Sequence, residues 1–98
     1  MFYIDTLFIM TTICVFTMSG CQYCEEFKGI LKKENLSYEE YDVDDNEYLW
    51  NQVVNQIGDE NLPTVFIRNE NGSLGVLLMP DINVESHEDM LEKIKENI

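Results

Sequence analysis

Apolar residues recur along this chain in two different rhythms, and the switches between them predict its elements. Ile13-Cys14-Val15-Phe16 is a short continuous apolar run, read as a buried strand. Thr17 to Gly20 makes a turn, with Ser19-Gly20 releasing the strand. From about Gln22 to Glu34 the spacing becomes helical. Cys24, Phe27, Ile30 and Leu31 share one face, Glu25, Glu26, Lys32 and Lys33 the other, and Asn35 ends the run. Ser37 to Val43 alternates imperfectly and reads as a second strand. Asp44 and Asp45 are candidate caps for a second helix with the stripe Leu49, Trp50, Val53, Val54 and Ile57, which Gly58 stops.

Pro63 introduces a third strand, Thr64-Val65-Phe66-Ile67. Asn71-Gly72 is a hairpin signal, and Leu74 to Leu78 returns antiparallel as strand four. Pro80 breaks the pattern. Asn83 or Ser86 then caps a last helix that turns Met90, Leu91, Ile94 and Ile98 inward. The predicted order is βαβαββα, an α/β chain with a parallel βαβ half and a hairpin half. No repeat, linker or low-complexity stretch divides it.

The chain has 98 residues, a length that implies one domain burying roughly two-thirds of its unfolded surface. Residues 1–9 read as an N-terminal extension to a domain over 10–98, because Met10-Thr11-Thr12-Ile13 looks like a natural start leading into the first strand. The alternative is an edge strand or an apolar flap. That segment lacks a basic region and a small-residue cleavage site, and Asp5 interrupts it, so it does not read as a signal peptide or a membrane span. With three cysteines and no secretory signal, a reducing cytoplasm is the expected compartment.

Charge narrows the partners. Nineteen acidic residues against six basic ones leave a net charge of −13. Residues 35–61 hold eight acids and no Lys or Arg. Nucleic acid and anionic membrane are therefore excluded as expected partners, since both are bound through clustered cations. A basic protein surface would be steered toward this chain, although an acidic solvated face also serves plain solubility.

Cys21-Gln22-Tyr23-Cys24 lies where the first strand turns into the first helix. CxxC in a βαβ setting is a redox signal. Two intervening residues on a first helical turn leave both sulfurs on one side, so a disulfide closes with little backbone movement. Cys21, at or just before that turn, meets unpaired N–H groups and the helix dipole, which favour its thiolate. Glu25 and Glu26 oppose this by about 0.5 kcal/mol each at roughly 8 Å in a water-like dielectric. Their sum is below the roughly 1.4 kcal/mol of one pKa unit, and CxxC sites lower the first cysteine by roughly one to five units.

Zinc would need four ligands, and besides the pair the chain offers Cys14 and His87. Cys14 reads as a small apolar residue inside strand one, and His87 as a solvent-exposed residue in the first turn of the last helix. No metal is expected. Trp50 and the other aromatics fit core or groove packing, there being no basic patch to make a nucleic-acid stacking platform. A non-catalytic module that holds a protein partner beside Pro63 is the reading from a different class.

Over about residues 11–98 the chain resembles the glutaredoxins, within the thioredoxin-fold superfamily. Val15-Phe16-Thr17 before the CxxC, Lys28 four residues after Cys24, and Pro63 before Val65-Phe66-Ile67 carry the likeness. The resemblance implies a thioredoxin-like fold, a four-stranded mixed sheet flanked by three helices. It implies a cis Pro63, with the Leu62 backbone facing the active-site sulfur. It makes Cys21 the nucleophile and Cys24 the resolving thiol, and Gln22, Tyr23, Lys28, Leu62, Pro63 and Asp81 the substrate or glutathione groove. Lys28 is either an ordinary surface lysine or the nearest positive charge to the thiolate.

Departures from the family pattern concern glutathione. Gln22 replaces a proline of CPYC, and Met18 stands where a lysine usually holds a glutathione carboxylate. Asn61-Leu62-Pro63 replaces Thr-Val-Pro, and Met79-Pro80-Asp81-Ile82-Asn83 lacks the Gly-Gly before an aspartate. By resemblance the protein is a monomeric thiol–disulfide oxidoreductase with no bound cofactor. Its substrates are disulfide-containing proteins, ribonucleotide reductase among them by family analogy. Its electrons come from glutathione or from thioredoxin reductase. An iron–sulfur cluster bridging two subunits through Cys21 and glutathione is a further family option. In the reduced chain, Cys21 is expected to be alkylated with a pH midpoint below that of free cysteine; a midpoint above it would remove the helix-terminus account.

Overall fold

Strand β1 (Thr12–Thr17) is buried from Ile13 onward, and the rest of the chain is arranged to cover it on both faces. The computed structural model describes residues 11–70 and 74–98. After β1 come α1 (Gln22–Lys33), β2 (Tyr38–Asp42), α2 (Glu47–Ile57), β3 (Thr64–Arg68), β4 (Leu74–Leu78) and α3 (His87–Glu96). The predicted element order is found. The expected extension over 1–9 and the Asn71-Gly72 turn lie outside the described residues.

The sheet order is β2-β1-β3-β4. β1 pairs parallel with β2, Ile13 opposite Tyr38 through Thr17 opposite Asp42. It pairs antiparallel with β3, Val15 opposite Val65, and β3 pairs antiparallel with β4, Val65 opposite Leu78. Alternation along a strand sends successive side chains to opposite faces. Ile13, Val15, Val65 and Ile67 therefore pack with Phe27 and Leu31 of α1 and Met90 and Ile94 of α3. On the other face Cys14, Phe16 and Phe66 pack with Val53, Leu49 and Trp50 of α2. Phe16 sits at the centre of this second layer, its ring 5.3 Å from Phe66, 5.0 Å from Trp50 and 5.8 Å from Tyr41.

Helix ends follow local chemistry; two expectations are corrected there and one pair of alternatives is decided. α2 starts after Asn46, not Asp44 or Asp45. Asp42 gathers the preceding residues into a turn, its carboxylate accepting from the Asp44 N–H at 2.8 Å and its carbonyl from the Asn46 side chain at 2.9 Å. That donation leaves α2 without a side-chain cap. For α3, Ser86 is the cap, accepting from the Asp89 N–H at 3.0 Å, while Asn83 serves the preceding loop. Ile98 is half exposed because α3 ends at Glu96, two residues before it, so the helical stripe does not carry it inward. Gly58 closes α2 at φ +88°, the left-handed region that glycine enters without steric cost.

Truncating Phe16 to Ala empties the middle of the second layer. The expected loss is about 3–5 kcal/mol of unfolding free energy, read by urea titration with an unchanged slope.

Candidate active site

The redox pair is placed by the end of β1. Beyond Thr17 the chain reverses through Met18-Ser19-Gly20, with Gly20 at φ +82° and the Cys21 N–H donating to the Met18 carbonyl at 3.1 Å. Cys21 then occupies the N-cap of α1, a position more often filled by Ser, Thr, Asp or Asn. Its Sγ accepts from the Cys24 N–H at 3.1 Å, so the sulfur takes the place of a capping oxygen. Cys21 and Cys24 are joined as a disulfide with Cα atoms 5.2 Å apart. Their exposures differ: Cys21 is half-buried and Cys24 is 0% exposed beneath the helix. On reduction, the sulfur that reaches solvent is also the one that faces a helix-terminal N–H.

A groove of about 620 Å³ reaches Tyr23, the residue before Cys24, although neither cysteine lines it. Tyr23 of α1, the Leu62–Pro63 segment, Pro80 and Asp81, and the start of α3 line it. The Leu62–Pro63 peptide is cis, as the resemblance implied. Two hydrogen bonds hold this segment: Thr64 Oγ1 to the Asn61 carbonyl at 2.6 Å, and the Asn61 side chain to the Pro80 carbonyl at 2.8 Å. The second ties the cis-proline segment to the loop after β4. Asn83 organises that loop, accepting from the Met79 N–H at 2.8 Å and donating to the Leu77 carbonyl at 2.9 Å. Asp81 sits there at φ +66°, exposed, its N–H donating to the Val84 carbonyl at 2.9 Å.

Of the expected groove residues, Tyr23, Leu62, Pro63 and Asp81 line the cavity, while Gln22 and Lys28 do not. Gln22 is exposed and donates to Glu26 at 3.2 Å. Lys28 points to the sheet side of α1, 2.8 Å from Glu25 and 3.0 Å from Glu40. Those two carboxylates raise its pKa, Glu25 first. Lys28 therefore ties α1 to β2, and its charge is already matched there.

His87 is a correction to the expected exposed residue. Its ring lies 5.6 Å from Phe27 and 6.2 Å from Tyr23, and its Nε2 is 3.3 Å from Glu26 Oε1. It joins the first turns of α1 and α3 at the groove wall. Sequence reasoning also missed Glu85, Ser86 and Glu88 as lining residues. No periodicity marks them, since the loop after β4 is what carries α3 to the groove. Cys14 is buried, and burial pushes its pKa up to about 11, partly offset by nearby Arg68. Among the described residues, no three or more His, Cys, Asp or Glu side chains are gathered to hold a metal. Nor is any described helix long and apolar enough to cross a membrane.

A four-stranded mixed sheet with a CxxC disulfide at the start of the first helix and a cis-proline beside the groove defines a thioredoxin-like fold. Among solved structures, the oxidised thioredoxin of Plasmodium falciparum aligns with a TM-score of 0.62 at 16% identity, covering 95% of this chain and 88% of that one. Deadhead, a germline thioredoxin of Drosophila melanogaster, gives 0.61 at 13% identity, covering 97% and 88%. At such identities these likenesses speak for the fold alone. The sequence model of the Glutaredoxin family matches residues 13–71. Glutaredoxin 1 of Rickettsia bellii is 32% identical over 65 residues, 62% of this chain and 66% of that protein. Glutaredoxin 3 of Escherichia coli is 26% identical over 58 residues, 59% of this chain and 70% of that protein. The chain belongs to the glutaredoxin family, and its matched segment spans 61–66% of the length of the Rickettsia relatives.

Glu40 joins three elements beneath the site. It accepts from Thr17 Oγ1 at 2.7 Å and from Lys28 at 3.0 Å. The Thr17 hydroxyl, then Lys28, hold its carboxyl below its ordinary value of 4.5. A depressed folded-state pKa contributes stability that is complete above the unfolded value and disappears as pH falls through the folded one. Glu40 is partly exposed, so solvent screening keeps the contribution small. Thermal melts should therefore show Glu40→Gln losing less stability than the parent protein as pH drops from 6 to 3, with the curves converging at the acid end.

Proposed function

We propose that this protein is a dithiol thiol–disulfide oxidoreductase that reduces protein disulfides and glutathione mixed disulfides. The asymmetry of the pair carries the reading: a half-buried Cys21 with a helix-terminal N–H on its sulfur, backed by a fully buried Cys24. The Cys21 thiolate attacks one sulfur of a substrate disulfide. That S–S bond breaks, a substrate thiolate leaves, and a mixed disulfide forms. Cys24, as thiolate, attacks Cys21 Sγ and releases the second substrate thiol. Two electrons have then moved from the dithiol to the substrate, and the protein holds the Cys21–Cys24 bond. A glutathione mixed disulfide needs Cys21 alone, with a second glutathione as resolving thiol. The chemistry belongs to a reducing compartment such as the cytoplasm.

Glutathione is the reductant that family membership favours. A thioredoxin reductase is the second reading, and one observation favours it: the groove lining contains no Lys or Arg to hold a glutathione carboxylate. Parallel coupled assays, one with glutathione and glutathione reductase, the other with thioredoxin reductase, decide between them by which supports turnover.

Cys21→Ser is expected to abolish turnover of both substrate kinds. Cys24→Ser should keep the reduction of a glutathione mixed disulfide while losing that of a protein disulfide by at least roughly 100-fold, since trapping as a mixed disulfide replaces resolution. A protein unaffected by Cys21→Ser would instead be a binding module.

A further inference from the structure

We propose that Glu85 and Glu88, with Glu26 from α1, are specificity-determining residues that select disulfides flanked by Lys or Arg in a polypeptide. This rests on the oxidoreductase reading above and concerns the same groove. Four carboxylates line it, those of Glu26, Asp81, Glu85 and Glu88, and no Lys or Arg does; His87, the remaining titratable side chain on the wall apart from Tyr23, faces Glu26 at 3.3 Å and leaves the other three carboxylates unmatched. All six Lys and Arg residues of the chain lie elsewhere. Lys28 is held by Glu25 and Glu40, Arg68 by Glu39, Lys93 by Asp89 and Lys95 by Glu34. Lys32 and Lys33 occupy the last turn of α1, the end away from the cysteines.

Glu85 and Glu88 are exposed, and among the described residues neither is paired with a cation. Their field is shaped by the apolar lining of Leu62, Pro63, Pro80, Val84 and Met90. A cleft of one charge sign with low-dielectric walls focuses field lines and raises the encounter rate of opposite charge. Met18 and Tyr23, which flank Cys21 in sequence, are 44% and 65% exposed. They offer apolar contact to an incoming chain while the carboxylates meet its cations. Glutathione, with two carboxylates and one ammonium, gains no rate from this field, and its reaction at Cys21 does not depend on Glu85 or Glu88. A basic segment beside a disulfide arrives with the opposite charge.

The test uses the reduced full chain in single turnover. It acts on three disulfide-linked peptides identical but for Lys, Ser or Glu flanking the S–S bond. Each reaction converts the peptide disulfide to two thiols and the protein dithiol to Cys21–Cys24. The second-order rate constant of the Lys peptide is expected to exceed that of the Glu peptide by at least roughly tenfold at low ionic strength. The ratio should fall toward unity in 1 M salt, where the Debye length is about 3 Å. The E85Q/E88Q variant should cut the low-salt ratio to about one-third or less. Equal rate constants for the three peptides, or a ratio that survives both salt and the double variant, would overturn the proposal. Failure to reduce any of the three would remove the oxidoreductase reading and this inference with it.

Discussion

The site depends on one constraint: a short strand buried on both faces has nowhere to put a polar backbone except into its neighbours. β1 is paired on both edges, to β2 and β3, and covered above and below. An unpaired buried peptide group costs about as much as a lost hydrogen bond or more, so the register is firmly set. Its C-terminal end is consequently a fixed platform. Whatever follows Thr17 starts from a defined point, and Cys21 follows four residues later, after a turn that Gly20 makes cheap. The redox pair inherits its position from the sheet.

Capping and chemistry then share a sulfur. A helix begins with N–H groups lacking intrahelical partners, and a side chain that accepts from one of them stabilises the helix. Thiol sulfur is a weak acceptor and thiolate a strong one, so Cys21 is a better cap when reduced and ionised than an ordinary cysteine would be. Local stability and nucleophilicity therefore point the same way. The acids on α1 act against this, but Glu25 is paired to Lys28 and Glu26 is engaged by Gln22 and His87, so both face ligands other than the sulfur.

Local signals made most of this legible. Helical spacing of Cys24, Phe27 and Leu31 put the second cysteine of the CxxC on the buried face, where the structure has it at 0% exposure. Gly58 and Ser86 ended and began helices for reasons contained within four residues of chain. Errors arose where a side chain had a distant or competing partner. Asp44 and Asp45 lost the cap of α2 because Asp42 organised the turn first. Between the two expected caps of α3, Ser86 was left free to serve because Asn83 is held by Met79 and Leu77. His87 read as exposed because nothing in its own neighbourhood announces Phe27 and Tyr23, 60 and 64 positions away. Lys28 could be placed on α1 by spacing, yet only the position of β2 shows that Glu40 claims it.

The same distinction explains why the pair and its groove tell different amounts about function. The CxxC is a local object, and its chemistry follows from two cysteines, one helix start and one buried face. The groove is assembled from three stretches: the first turn of α1, the cis-proline segment, and the loop into α3. The Asn61–Pro80 hydrogen bond links two of them and His87 the other pair. Each stretch can change its charge without disturbing the disulfide or the core, since the exposed lining residues carry none of the buried packing. Reaction type is thus held by the sheet and the helix start. The groove wall is built from side chains that the fold leaves free to vary, and four of them here are carboxylates.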